Sequence, residues 1–508
     1  MKTHLLETQI PLSQSRLWQA QRHYFTEEGI HAWQQVPFFV TSNPFIADRY
    51  ARLIAAYLQD ARLNPEEPVY ILELGTGSGQ FSYYCHLALQ KYLQDPRLAQ
   101  LKICYVMTDF TSSNLAFWEE QAVFAPFFAN HTLDYALFDI EAPEPLHLVK
   151  QNRTLKQLNN PLIVIGNYVF DSVRHALFTN QAGQVFRCLI DTQIAAEDYD
   201  PEKDQILSFK NIHFRYHSKA IDLAEEPPPL AALLSQYQAQ LPNGSFSIPT
   251  SALDLLDFFK EYAPPGYLLL SSDKGFNQIQ EMSAHPEDLV FHGSFSFEVN
   301  FHAIAEYLRS QRGCAHLQSY RDGIKTNLFL SSAAPTPRLD RAFYDLIEQF
   351  GPADYFRYHT LIKQQDPLDL NVALTQLRLS GPDPYVFSLF NLRLCEQLPQ
   401  ADRKLQDAFA ALAPTLLQQI YPLPSSTDHA FNLGYFLHTL ERYLDAIPCY
   451  EASIQRYGEH FDSCFNLGIC YYYMDSNLSQ HYFEKALPLA GAEQKPQVRS
   501  WLTKLKST

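Results

Sequence analysis

With 508 residues, 46% hydrophobic and 19% charged, the chain is long enough for two or three cores and has the composition of a globular protein. Its formal net charge of −16, with no local basic stripe, argues against nucleic acid as partner or substrate, because a phosphate backbone would be repelled. No run of about 18 apolar residues is present, so no membrane-spanning helix is expected, and "MKTHLLETQIPLSQ" lacks the apolar stretch of a secretion signal. The eight cysteines never form a C-x-x-C pair. Buried free thiols in a reducing cytoplasm are the expectation, and zinc is not.

Residues 1–65 read as a helical segment. In "TSNPFIADRYARLIAAYL", cap residues Ser42 and Asn43 precede Pro44 at the first turn, and apolar residues follow at helical spacing. From Val69 the pattern alternates. "VYILEL" is a strand, "FSYYCHLALQKYL" a helix, "KICYVMTD" a strand, "SSNLAFWEEQAVF" a helix, and "LDYALFD" and "PLIVIGNYVFD" two further strands. Continuous apolar strands alternating with helices predict an α/β fold, a doubly wound, Rossmann-like parallel sheet, over residues 66–332. "VFRCLIDTQI" and "IHFRYHSKAI" read as an inserted pair of strands, after which "GYLLLSSDKGF" resumes the buried-strand pattern.

"SSAAPTPR" and "YPLPSST" divide off a helical connector over 338–421 and an all-α tail over 427–508. In the tail Leu433-Gly434 and Leu467-Gly468 recur 34 residues apart, the period of tetratricopeptide repeats. Ala446, Tyr450 and Ser453 fall at signature spacings in the first copy. Tyr471, Phe483 and Ala486 do so in the second after deletion of one residue. "PQVRSWLTKL" is expected to close the array. Such a module binds a protein partner or protein substrate on its concave face.

The chemistry concentrates in "ELGTGSG". A phosphate-binding P-loop would need Lys-Ser or Lys-Thr where Gln80-Phe81 stand, and a dinucleotide fingerprint has a different glycine spacing. An acid two residues before G-x-G-x-G suits S-adenosylmethionine, which has no pyrophosphate to cradle. Gly75, Gly77 and Gly79 (with Thr76 between the first two) let the backbone approach the ligand, and Glu73 can face its positive end. Asp109, ending the second strand, is expected on the ribose hydroxyls, and Asp139, ending the third, on the adenine amino group. As helix caps these aspartates would need no ligand. The fourth strand ends "VIGNYVFDSVRHALF". There Asn167 and Asp171 are the candidates for fixing and deprotonating a methyl acceptor, with His175 one helical turn beyond Asp171 if a helix begins there.

The segments "FFVTSNPFIADRYARLIA", "ILELGTGSG", "GNYVFDSVRHALF", "LLLSSDKGF" and "HGSFSFEVNFHAIAEYL" occur in an order that resembles the MidA-like S-adenosylmethionine-dependent methyltransferases, over about residues 35–330. The resemblance implies cofactor binding by Glu73, Gly75, Gly77 and Gly79, and places Asn167 and Asp171 near the acceptor. Tyr168 stands where that family's N-E-F-F-D motif has glutamate, which removes the group suited to holding a guanidinium. Tyr168 and His175 are thus the expected substrate contacts of a divergent branch. His292 and His302 flank the late segment without a third ligand at metal-binding spacing. A scaffold that kept the fold and lost methyl transfer is the alternative reading.

Overall fold

The computed structural model describes residues 3–30, 41–282, 290–292, 294–364, 367–423 and 427–507. The chain divides into two compact units, residues 1–356 and 357–508. The division therefore falls inside the expected connector, and the segment 1–65 belongs with the α/β unit. No described helix is long and apolar enough to cross a membrane.

In the first unit the N-terminal segment is not wholly helical. Strand β1 (Thr3–Pro11) precedes helices α1 (Leu17–Glu28) and α2 (Pro44–Asp60). Helical periodicity is absent from "THLLETQIP", and its half-exposed residues find their backbone partners on a distant strand. Helix α2 starts as its cap predicts: Asn43 Oδ1 accepts from Ile46 N–H at 3.1 Å, with Pro44 in the first turn.

The central sheet is built from β2 (Val69–Leu74), β3 (Ile103–Asp109), β4 (Leu133–Leu137) and β5 (Leu162–Asn167), followed after an insertion by the later strands. The insertion contributes β6 (Ala176–Gln181), β7 (Gln184–Ala195), β8 (Ile212–Ala220) and β9 (Gly244–Ile248). The remaining strands of the central sheet are β10 (Tyr267–Phe276), β11 (Cys314–His316) and β12 (Ile324–Leu330). Their spatial order is β11-β12-β10-β5-β2-β3-β4, with the short strand Val299–Asn300 beside β10. β10, β5, β2, β3 and β4 run parallel, and β12 is antiparallel to both of its neighbours. Every residue of β2 is buried, as expected of a parallel strand covered on both faces. Helices α3 (Gln80–Tyr92) and α4 (Ser112–Glu120) follow β2 and β3. Because β3 and β5 lie on opposite sides of β2, the chain reverses its winding there and opens a crevice at the strand C-termini.

The inserted strand pair is real and larger than expected. β7 pairs antiparallel with β8 from Ile212↔Ile194 to Ala220↔Phe186, and β1, β6 and β9 complete a second sheet. Its core joins Leu17 and Trp18 of α1 to Ile190, Ile194, Phe295 and Phe297. Asn300 caps the next helix, accepting from Ala303 N–H at 2.9 Å and donating to Ser247 O at 2.8 Å. His302 shares a 2.8 Å hydrogen bond with the Tyr237 hydroxyl. Phe38 to Val40, Gly293 and the His292 side chain lie outside the described residues.

The second unit is all helical. Its last five helices, α5 (His429–Thr439), α6 (Tyr443–Tyr457), α7 (Phe461–Tyr473), α8 (Leu478–Leu489) and α9 (Lys495–Ser507), pack in succession. A Cβ at Gly434 would lie 3.0 Å from the Tyr450 ring, and one at Gly468 would lie 2.7 Å from the Phe483 ring. The recurring glycines thus bring each helix against an aromatic of the next. Trp501 of α9 stacks on Phe483 at 5.5 Å and closes this core. Asp428 caps α5 through Phe431 N–H at 2.8 Å and accepts from Ser453 Oγ of α6 at 2.6 Å. Gly468→Ala should lower the unfolding free energy of this unit by about 1–2 kcal/mol, since overpacking outweighs the gain in helix propensity. Urea denaturation followed by helix ellipticity reads this, and an unchanged or raised midpoint would contradict the packing argument.

Candidate active site

The glycine turn joins β2 to α3 with φ of +57° at Gly75, +60° at Gly77 and +82° at Gly79. All three are left-handed, a region where a side chain costs roughly 1–2 kcal/mol, so the spacing G-x-G-x-G is a conformational requirement. Thr76 pins the turn to β3: its N–H donates to Thr108 O at 2.8 Å and its Oγ1 accepts from Thr108 N–H at 3.1 Å. Glu73 lies below the turn. Its Oε2 accepts hydrogen bonds from Tyr105 Oη at 2.6 Å and from Ser82 Oγ. Burial raises its carboxyl to about 7, against the opposing effect of these two donors.

Asp109 ends β3, as the strand pattern requires, but its carboxylate is already engaged. Oδ1 accepts from Thr111 N–H (3.0 Å) and Thr111 Oγ1 (2.9 Å), and Oδ2 from Asn114 Nδ2 (2.8 Å) and Gly77 N–H (3.3 Å). Four donors meet the four lone-pair sites of a carboxylate. Asp109 therefore ties the glycine turn to the start of α4, with burial raising its pKa against these bonds. The Oδ1 of Asn114, buried and lining the same cleft, has no partner, and offers an acceptor beside the place expected for Asp109's ligand. Asp139 follows β4 and is held by Arg22 of α1, whose Nη1 and Nη2 donate to its two oxygens at 3.1 and 2.7 Å.

At the end of β5 the backbone turns sharply. Asn167 Oδ1 accepts from Tyr50 Oη at 2.8 Å and Ser272 N–H at 3.2 Å, whereas its Nδ2 is buried without a partner. Tyr168 has φ +50°, uncommon for a bulky residue and a frequent mark of a working site. Its N–H donates to Ser272 O at 3.0 Å, and burial raises the phenol pKa.

Asp171 and His175 do not line the cleft. Residues Phe170–Ser172 form a single 3-10 turn, and β6 begins at Ala176, so no α-helix places His175 a turn beyond Asp171. Asp171 turns inward, accepting from Ser172 Oγ at 2.8 Å, while its N–H donates to Asp273 Oδ2 at 3.2 Å. Burial of the two carboxyls beside each other pushes both upward, Asp171 to about 6. His175 is wholly buried, stacked on Phe297 at 5.4 Å and bonded through Nε2 to Phe170 O at 2.8 Å. Burial lowers its pKa to about 4. Both residues serve the wall behind the site.

Two chambers open at the strand ends. The larger, about 860 Å³ including its mouth, is lined by Asp109, Phe110, Asn114, Asp139 and Ile140, with Arg22 from α1. The smaller, about 390 Å³, is lined by Thr41, Glu73, Thr76, Ser78, Phe81 and Asn167. Gly75 and Tyr168 belong to both. The contribution of α1 through Trp18, Gln21 and Arg22 is invisible in the sequence, where "LWQAQRHYF" shows only a helix well ahead of the glycine turn.

No protein-family model and no curated protein matches the chain. Among solved structures it is similar to two members of one superfamily from Burkholderia thailandensis. An uncharacterized protein is 16% identical with a TM-score of 0.39, over 61% of this chain and 74% of that one. A second, bound to S-adenosyl-homocysteine, is 15% identical with a TM-score of 0.40, over 66% and 90%. Magnesium protoporphyrin IX methyltransferase from Synechocystis PCC 6803, with bound S-adenosyl-homocysteine, is 11% identical with a TM-score of 0.28, over 61% and 98%. Likeness of this degree leaves the functional reading to the strand order and the cleft themselves.

Proposed function

We propose that the chain is an S-adenosylmethionine-dependent methyltransferase whose second unit, as tetratricopeptide-like repeats, recognises a protein substrate. The observation that carries this reading is the pair of chambers meeting at Gly75 and Tyr168 above a turn of three left-handed glycines. A nucleoside with an amino-acid tail has two ends of unlike chemistry joined at one atom, and the two chambers suit them. The reversed strand β12 supports a single nucleoside, since it interrupts the second parallel half that a dinucleotide fold would use.

S-adenosylmethionine supplies a methyl group on a positively charged sulfur, open to displacement by a nucleophile. In the larger chamber the unpartnered Asn114 Oδ1 would accept from a ribose hydroxyl, and Phe110 would offer a platform for the base. In the smaller one the unpartnered Asn167 Nδ2 donates to the tail carboxylate, and Glu73, near 7, can share a proton with its amine. Tyr168 stands at the junction, where an aromatic ring favours a cation. Asp171 bonds through its N–H to Asp273, the neighbour of the Ser272 that holds Asn167 and Tyr168, and so belongs to the wall behind them.

Calorimetry with S-adenosylmethionine and S-adenosyl-homocysteine tests the cofactor, and labelled methyl incorporation into lysate protein tests the transfer. In Tyr168→Leu, affinity for S-adenosylmethionine should fall about 3- to 10-fold more than that for the product, whose sulfur is neutral, the scale of a cation–π contact. Equal losses would assign Tyr168 a merely structural place. The second reading is a cofactor-binding scaffold without transfer, in which Asp171 and His175 have no place in the cleft. Binding of S-adenosylmethionine with no labelled product would establish that reading instead.

A further inference from the structure

Arg22 sits in the larger chamber on the very groups a purine base would use. Its guanidinium forks onto both oxygens of Asp139 at 3.1 and 2.7 Å, and its central carbon lies 4.4 Å from the centroid of the Phe110 ring. A guanidinium is planar, carries a row of N–H donors and stacks on aromatic faces, so it reproduces the donor edge and flat face of an adenine. We propose that Arg22 is an internal competitor for the base subsite, holding the two contacts, the Asp139 carboxylate and the Phe110 ring, that adenine would otherwise make. This rests on the cofactor reading above.

The backbone beneath Arg22 is held in place, and its side chain is partly exposed. One turn before it, Trp18 is buried, donates through Nε1 to Leu12 O at 2.8 Å, and packs on Phe295 at 5.1 Å. Gln21 donates to Phe295 O at 2.6 Å and Ser294 Oγ at 3.0 Å. The Arg22 side chain, by contrast, is 33% exposed, and Asp139 is 31% exposed. A second carboxylate is adjacent: Glu141 Oε2 lies 3.9 Å from Arg22 Nη1 and 3.4 Å from Arg174 Nε, so it can take a share of Arg22. Base binding then asks Arg22 to leave Asp139 and Phe110, for solvent or for a shared place with Arg174 on Glu141, with α1 in place. An ion pair this exposed is screened by salt, so the competitor weakens as ionic strength rises.

The test uses the full chain and two probes, neutral adenosine and S-adenosyl-homocysteine, by calorimetry at low and high salt. Arg22→Gln keeps the stem and removes the charge. It should bind both probes about 3- to 10-fold more tightly than the wild type, because the fraction of open subsites rises. Wild-type affinity for adenosine should increase with salt, and that dependence should vanish in Arg22→Gln. Asp139→Asn releases Arg22 but also removes the carboxylate, and should bind adenosine more weakly than Arg22→Gln. Equal or weaker binding by Arg22→Gln would make Arg22 a ligand contact or a bystander and overturn the proposal, with the cofactor reading intact. No binding of either probe by any of the proteins would overturn both.

Discussion

Gly75→Arg should weaken S-adenosylmethionine binding by about 100-fold or more, equivalent to ~2.7 kcal/mol, in a chain that still folds. Gly75 lines both chambers, so a long side chain there fills the junction that the two ends of the ligand must share. The backbone adds its own penalty: φ is +57°, and a Cβ would lie 3.0 Å from Val169 Cγ2. That methyl is the end of a side chain and can give by a few tenths of an ångström, so the stability loss should stay near the roughly 1–2 kcal/mol of a left-handed side chain. Gly183→Ala is the control. It has φ +78° with nothing within 4 Å of its Cβ and lies outside both chambers. It should lose comparable stability and keep full affinity. If Gly75→Arg binds as the wild type does, the glycine turn is not the cofactor site.

The second large effect is on stability against pH. Asp171, Asp273 and Glu73 are buried acids whose pKa values are raised by desolvation, to about 6 for Asp171 and about 7 for Glu73. The ordinary carboxyl value is near 4, so folding favours the protonated form. This stabilisation is complete below the unfolded pKa and is lost as pH rises through the folded one. Asp171 and Asp273 titrate as a pair, and both members act in this direction. The melting temperature should therefore be higher at about pH 5 than at about pH 8, by several degrees on the usual scale for domains of this size. Asp383 in the second unit, also raised by burial to about 7, acts in the same direction. Asp273→Asn removes one titrating carboxyl beside Asp171 and keeps one acceptor for its N–H, so it should flatten the slope between pH 5 and pH 8. A slope unchanged in Asp273→Asn would show that the acid pair is not its source.

Local rules made much of the fold legible. Continuous apolar runs such as "VYILEL" are buried on both faces because parallel strands have helices on either side. Asn43 and Pro44 start α2 because capping depends on neighbours in sequence. The glycine turn was readable because its constraint is a backbone angle, and so was the recurrence of Gly434 and Gly468, which the structure sets against Tyr450 and Phe483. Strand β1 was not readable, since its partners lie far along the chain on β7, from Thr3↔Ala195 to Pro11↔Leu189. The chain's division within 338–421 likewise depends on which helices pack together.

The sequence by itself determined which strands end in acids and where the glycines sit, because strand period and left-handed φ are local properties. Only the tertiary structure decided where those side chains face. Asp109 spends its lone pairs on the glycine turn and α4, Asp139 is held by an arginine from a helix 117 residues earlier, and Asp171 and His175 turn into the interior. A strand-end carboxylate goes to whichever donors reach it first, and those donors come from segments distant in the chain. Asn167 and Tyr168 remained in the cleft because Tyr50 and Ser272 hold the strand end there.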